Sequence, residues 1–196
     1  FFEQNGHAPL LFQAACEENC WSDAKGDMAY IGVRQGMMAA HVNRLQRVEG
    51  VTEFAPNAWL VPHNAAGLGS IGEREHLYLK HGDELVGDDF AHEQSLVFDA
   101  PCGIIIFNSC SHAGVEVIID EVRALFPNKP IRALVGGLHL FLRDEQEVRA
   151  LAAEIRDLGI ERIYTGHCTG KEALAALKEE LPRVVEAFYV GQVFEL

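Results

Sequence analysis

Gly103-Ile-Ile-Ile-Phe-Asn-Ser-Cys-Ser-His112-Ala-Gly-Val-Glu-Val-Ile-Ile119 carries a histidine where a buried strand gives way to a helix. Residues 103–107 are an apolar, β-branched run of the length expected for a strand covered on both faces. Residues 108–114 read as the turn. Val115, Ile118, Ile119, Val122, Leu125 and Phe126 then fall at helical spacing. His112 therefore sits on a short connection between two rigid elements, where an α/β fold keeps its chemistry.

The arrangement recurs twice downstream. Residues 131–135 form a second β-branched run, closed by Gly136-Gly137-Leu138-His139, with a helix from about Asp144. Residues 160–164 form a third, closed by Thr165-Gly166-His167-Cys168-Thr169-Gly170, with a helix from about Lys171. Strand-helix-strand connections favour parallel neighbours, so the three strand ends are expected along one edge of a sheet, where the imidazoles can converge. Imidazole is the commonest protein ligand for zinc and also suits iron and copper.

The bland alternatives are specific. His112, beside Ser109, Cys110 and Ser111, would be a turn histidine bonded to a hydroxyl, and His167 a solvent-facing neighbour of a Thr169 helix cap. His139, between Leu138 and Leu140, would be a core histidine, and its site role is either ligation or substrate contact. His7, His41, His63, His76, His81 and His92 lack a strand-end setting and read as surface residues, with some reserve for His92. For Cys110 and Cys168 the commoner role is apolar filler, the rarer one a soft ligand or redox-sensitive thiol. Asp88, Asp89 and Glu93 read as a solvated turn, or as a source of one carboxylate that orients a ligand histidine.

Two motifs fail. Gly166-His-Cys-Thr-Gly170-Lys171-Glu172 is one residue too short between its glycines for a P-loop and has Glu where Ser or Thr would hold magnesium. Ser109 and Ser111 lack the G-x-S-x-G elbow of a serine hydrolase.

At 196 residues the chain reads as one domain, able to bury about 70% of its unfolded surface. A formal charge of −13, with 16 scattered basic residues, argues against nucleic acid or an anionic membrane as partner. The implied partner is a small-molecule substrate, and a homo-oligomer is compatible with the sequence. Five cysteines with no C-x-x-C favour reduced thiols and a cytoplasmic setting.

Phe1-Phe2-Glu3-Gln4-Asn5-Gly6 reads as the last turn of a helix, which suggests a longer natural chain upstream. Residues 9–15 suit a core strand, and the following thirty a loop. Residues 44–48, 51–54 and 59–61 suggest short antiparallel strands, and 64–75 a mobile Gly-rich segment. Residues 77–79 and 84–86 suggest a hairpin, 95–98 a strand paired with 103–107, and 184–188 and 192–194 closing strands. The helix after Asp144 opens with a capping box of Asp144 and Glu147, and the last helix stops at Pro182.

Asp88-Asp89-Phe90 with Glu93-Gln94-Ser-Leu-Val, Asn-Ser-Cys-Ser-His112-Ala-Gly-Val, Val-Gly-Gly-Leu-His139-Leu and Gly-His167-Cys-Thr-Gly, in this order, resemble the metallo-β-lactamase superfamily. The similar branch is that of dihydropterin ribofuranosylaminobenzene phosphate synthase. The resemblance runs from about residue 43 to the end and implies an αββα sandwich with one or two divalent metal ions, zinc foremost, iron or manganese otherwise. It implies that His112 and His167 are metal ligands and that His139 belongs to a branch-specific motif, to which we give a catalytic hydrogen bond toward substrate or leaving group. The superfamily's H-x-H-x-D-H motif is absent, so the resemblance also implies amino-terminal truncation.

The expected activity is hydrolysis of an ester, amide or phosphoester. The alternatives are a pterin-dependent carbon-nitrogen condensation, or a non-catalytic remnant that binds a partner.

Overall fold

The computed structural model describes residues 2–193. Its first half runs β1 (Leu10–Gln13), β2 (Cys20–Ser22), β3 (Ala29–Tyr30), α1 (Met37–Ala40), β4 (Leu45–Val48), β5 (Thr52–Ala55), β6 (Ala58–Pro62), α2 (Leu68–Arg74), β7 (Leu77–His81) and β8 (Glu84–Gly87). There follow β9 (Gln94–Ala100), β10 (Gly103–Cys110), α3 (Val115–Leu125), β11 (Ile131–Gly137), α4 (Glu145–Leu158), β12 (Ile163–Thr165), α5 (Lys171–Glu180) and β13 (Val185–Ala187). The chain divides into two compact units, Phe1–Thr52 with Pro62–Gln94, and Glu53–Val61 with Ser95–Leu196.

The second unit is built on a seven-stranded sheet in the order β13-β12-β11-β10-β9-β6-β5. β9 and β10 form the antiparallel hairpin expected, while β10, β11, β12 and β13 run parallel, each pair linked through a helix. The alternation of the strands divides their side chains. Ile104, Ile106, Leu134 and Ile163 join Ile118, Ile119 and Val122 of α3, Val148, Ala152 and Ile155 of α4 and Leu177 of α5 in one core. The valine, leucine and isoleucine side chains among them, fully or almost fully buried, each contribute roughly 1.5–3 kcal/mol relative to exposure. On the opposite face Ala133, Val135 and Tyr164 gather Ile105, Phe107 and Phe188. Both faces are thus apolar, as parallel strands require.

Local chemistry fixes the helix ends. The Asp144 carboxylate accepts from the Glu147 amide and the Glu147 carboxylate from the Asp144 amide, both at 2.9 Å, so the capping box forms as expected. α5 starts without a side-chain cap: Thr169, the cap in the bland alternative for His167, spends its hydroxyl elsewhere.

In the first unit β3, β2, β7 and β8 make a four-stranded sheet, with the expected hairpin between β7 and β8. Three expectations give way here. The segment taken as loop after residue 15 contains β2, β3 and α1, and 64–75 contains α2 rather than only mobile chain. β4 pairs in parallel with β1, Leu10 against Leu45, instead of joining an antiparallel sheet with β5 and β6. The cause is common to all three, since these elements are two to seven residues long and are held by partners distant in sequence. Residues 2–4 form a turn, while Phe1 lies outside the described residues. Of the expected closing strands, β13 exists, Gln192 and Val193 lie outside any strand, and Phe194 is not among the described residues. Among the described residues no helix is long and apolar enough to cross a membrane.

Candidate metal centre

The three strand-end histidines all belong to the second unit, at the carboxyl ends of β10, β11 and β12. β10 runs three residues further than expected, through Asn108, Ser109 and Cys110, because a register shift after Phe107 lets Cys110 pair with Gly137. The turn therefore begins only at Ser111. Gly137 is glycine for a reason of space: a Cβ there would lie 2.5 Å from the Cys168 sulfur and 3.1 Å from the Ser109 carbonyl oxygen. At Gly136 a Cβ would drive into the Asn108 carbonyl.

The segments beyond these strands are tied to one another. Leu138 N–H donates to the Thr169 hydroxyl at 3.0 Å, and that hydroxyl lies 2.6 Å from the Thr165 hydroxyl. The amides of Leu140 and Phe141 both donate to the Cys168 carbonyl, at 3.1 and 3.2 Å, and the His139 amide reaches the Cys168 sulfur at 3.3 Å. Thr165 and Thr169 are completely buried. Thr169→Val keeps the shape while leaving two buried polar groups without a partner, so it is expected to cost about 1–3 kcal/mol, read from the urea midpoint. A shift under about 0.3 kcal/mol would show that the hydroxyl does not lock these segments.

Ser111, His139 and His167 carry positive φ angles of 28°, 51° and 52°. Non-glycine residues in this region store about 1–3 kcal/mol each, and such strain gathers at functional sites. The His112 and His139 rings meet edge to face with centroids 4.4 Å apart, and Phe141 stands 5.0 Å from His139 on an almost perpendicular plane. A ligand nitrogen of His167 lies within 4.8 Å of the sulfurs of both Cys110 and Cys168. The Cys110 thiol is held far below its ordinary pKa by Cys168, then by His112 and His139, while Cys168 is pushed up by Cys110 and by burial. His112, His139 and His167 thus join one cluster through Cys110 and Cys168.

Its donors are imidazole and thiol, which suit zinc and other borderline divalent ions. His139 Nδ1 is buried without a hydrogen-bond partner, a costly condition that a ligand at this place would relieve. The residues present fit a divalent metal.

Cys110 and Cys168 each stand within two residues of a strand-end histidine. Among the remaining histidines, His63 is not a surface residue but is 1% exposed. His92 is also drawn inward, 3.0 Å from the carboxylate of Asp88, and Asp88 is buried rather than part of a solvated turn.

No protein-family model matches the chain. It is 28% identical over 119 residues to the 7,8-dihydropterin-6-methyl-4-(beta-D-ribofuranosyl)-aminobenzene-5'-phosphate synthase of Methanocaldococcus jannaschii, a match covering 61% of this chain and 40% of that protein. The chain thus spans well under half the length of this curated relative. A solved structure of a metal-dependent hydrolase of the β-lactamase superfamily superposes with a TM-score of 0.78 at 23% identity, over 97% of this chain and 73% of that one. The mixed α/β architecture of this chain is the metallo-β-lactamase fold, as the four motifs implied.

Proposed function

We propose that this chain of metallo-β-lactamase fold is part of a metal-dependent hydrolase acting on an ester, amide or phosphoester of a small molecule. The observation that carries the reading is the gathering of His112, His139 and His167 with Cys110 and Cys168 at the ends of three parallel strands. His112 and His167 would hold one or two ions, with zinc favoured by the neighbouring sulfurs and iron or manganese as the alternatives. When bound, such an ion polarises the substrate's carbonyl or phosphoryl oxygen and makes water a better nucleophile near neutral pH.

The chain's own contribution is positioning and proton control. The ties from 138–141 to Cys168 and Thr169 hold the His139 backbone, and its ring is set between His112 and Phe141. Its Nδ1, buried without a partner, has spare hydrogen-bonding capacity, suited to donate to a substrate or a departing oxygen or nitrogen.

Metal content by mass spectrometry, with hydrolysis of generic phosphoesters and lactones, tests this in the purified protein and in His112→Ala and His167→Ala. Each variant is expected to lose metal affinity by at least the roughly 10–100-fold that even an outer-shell partner is worth, and hydrolysis with it. Unchanged metal stoichiometry in both variants defeats the proposal.

The 28% identity to the Methanocaldococcus jannaschii synthase favours a second reading, condensation of a dihydropterin with a ribofuranosylaminobenzene phosphate. It predicts quenching of pterin fluorescence on binding. A protein that hydrolyses esters and leaves pterin fluorescence unchanged at high concentration excludes it.

A further inference from the structure

The first unit holds a second convergence of donor atoms, on residues that the proposed hydrolase does not use. Cys20 lies on β2, Asp88 directly after β8, and His92 four positions further in the turn before β9. One ligand atom from each falls within 4.8 Å of the other two. Asp88 Oδ2 is 3.0 Å from His92 Nε2, and Cys20 Sγ is 3.8 Å from the same nitrogen.

That shared nitrogen decides between two chemistries. A cysteine nucleophile activated by a histidine needs the thiol on one ring nitrogen and the orienting carboxylate on the other. Here carboxylate and sulfur both face Nε2. A single N–H on Nε2 satisfies one of them well and leaves the other at long range. A cation among the three would accept a lone pair from each. Tetrahedral zinc places a nitrogen and an oxygen ligand about 3.3 Å apart, and a nitrogen and a sulfur ligand about 3.6 Å. The observed 3.0 and 3.8 Å differ from these by only tenths of an ångström.

The surroundings are organised around the carboxylate. Asp88 is 4% exposed, and its second oxygen accepts from the Phe90 amide at 2.7 Å, which fixes the plane of the group. Gly72 of α2 packs so closely on the Asp88 backbone that no side chain fits there. Phe90, fully buried, is held at a φ of 54°. Thiolate, carboxylate and neutral imidazole sum to the charge that a divalent cation cancels, so the loaded cluster buries no net charge.

We propose that Cys20, Asp88 and His92 form a second divalent-metal site, of the three-ligand kind that suits zinc, with a fourth position left to water or to another donor. It shares no residue with the histidine–cysteine cluster of the second unit and stands or falls independently of the hydrolase reading.

The test loads metal-stripped protein with zinc, and separately with cobalt, and counts bound metal after gel filtration. Cys20→Ser and His92→Gln are the variants. Serine nearly preserves the volume of cysteine, and glutamine keeps a hydrogen bond to Asp88, so both retain the packing while weakening or removing a ligand. Each is expected to bind about one metal ion fewer per chain than the parent. Cobalt-loaded Cys20→Ser is expected to lose part of the thiolate-to-cobalt absorption, and His167→Ala to keep that Cys20-dependent part. Folded Cys20→Ser and His92→Gln proteins that bind as much zinc and cobalt as the parent, with the absorption unchanged, overturn the proposal and leave a hydrogen-bonded trio.

Discussion

Gly136→Ala is expected to destabilise the protein by on the order of 4 kcal/mol, in the range reserved for backbone conflicts that no rotamer can relieve. The added Cβ meets the carbonyl oxygen, carbonyl carbon and Cα of Asn108, all main-chain atoms of the neighbouring parallel strand. A side chain in that place would turn away, whereas a strand can only separate. Separation at this point pulls apart the seam that brings Cys110 opposite Gly137 and breaks into a core whose members Ile106 and Leu134 are completely buried. Urea unfolding should show the midpoint falling with its slope unchanged. A loss under about 1 kcal/mol would mean that the two strands give way easily there, contrary to the close packing of the seam.

The need for a small residue at this seam is visible in the sequence only as Gly-Gly after a β-branched run, which reads equally well as a turn. What was legible was what local physics writes locally. β10 and β11 announce themselves by β-branched runs, α3 and α4 by apolar spacing, and α4 by its capping box. The parallel order of β10, β11 and β12 follows from the helices between them. The hidden parts depend on partners far along the chain. β10 continues through Asn108, Ser109 and Cys110 because a register shift lets it keep pairing with β11, although polar residues there suggest a turn. β1 pairs with β4 across more than thirty residues, which no window of sequence can report.

The candidate site divides in the same way. Histidines at strand ends are a positional signal, and the structure gathers them. Cysteines give no periodic signal, and whether a thiol fills a core or faces a cluster is decided by its neighbours in space. Asp88 and His92 were only partly legible, as a possible orienting carboxylate and a histidine held in reserve, because an acidic run beside phenylalanine has the composition of a solvated turn. Only the approach of Cys20 from another strand shows the cluster they form.

Gly137→Ala is expected to act on the neighbouring position in the opposite manner, harming the site more than the fold. Its Cβ would stand 2.5 Å from the Cys168 sulfur, the end of a side chain that can rotate, while the nearest backbone atom, the Ser109 carbonyl oxygen, remains 3.1 Å away. The stability cost should stay near 1–2 kcal/mol, within the usual range for overpacking. The sulfur, however, must leave its place beside Cys110 and His167 and give up the His139 amide. Metal affinity of this cluster is therefore expected to fall about 10–100-fold, the loss typical when groups supporting a metal site are displaced. Competition with a chelator of known affinity measures it. Cys168→Ala removes the obstacle, so in that background Gly137→Ala should cost measurably less stability than alone, a coupling of about 0.5–3 kcal/mol. Additive costs would place the conflict at the Ser109 carbonyl instead, and would remove Cys168 from the account of why this strand ends in two glycines.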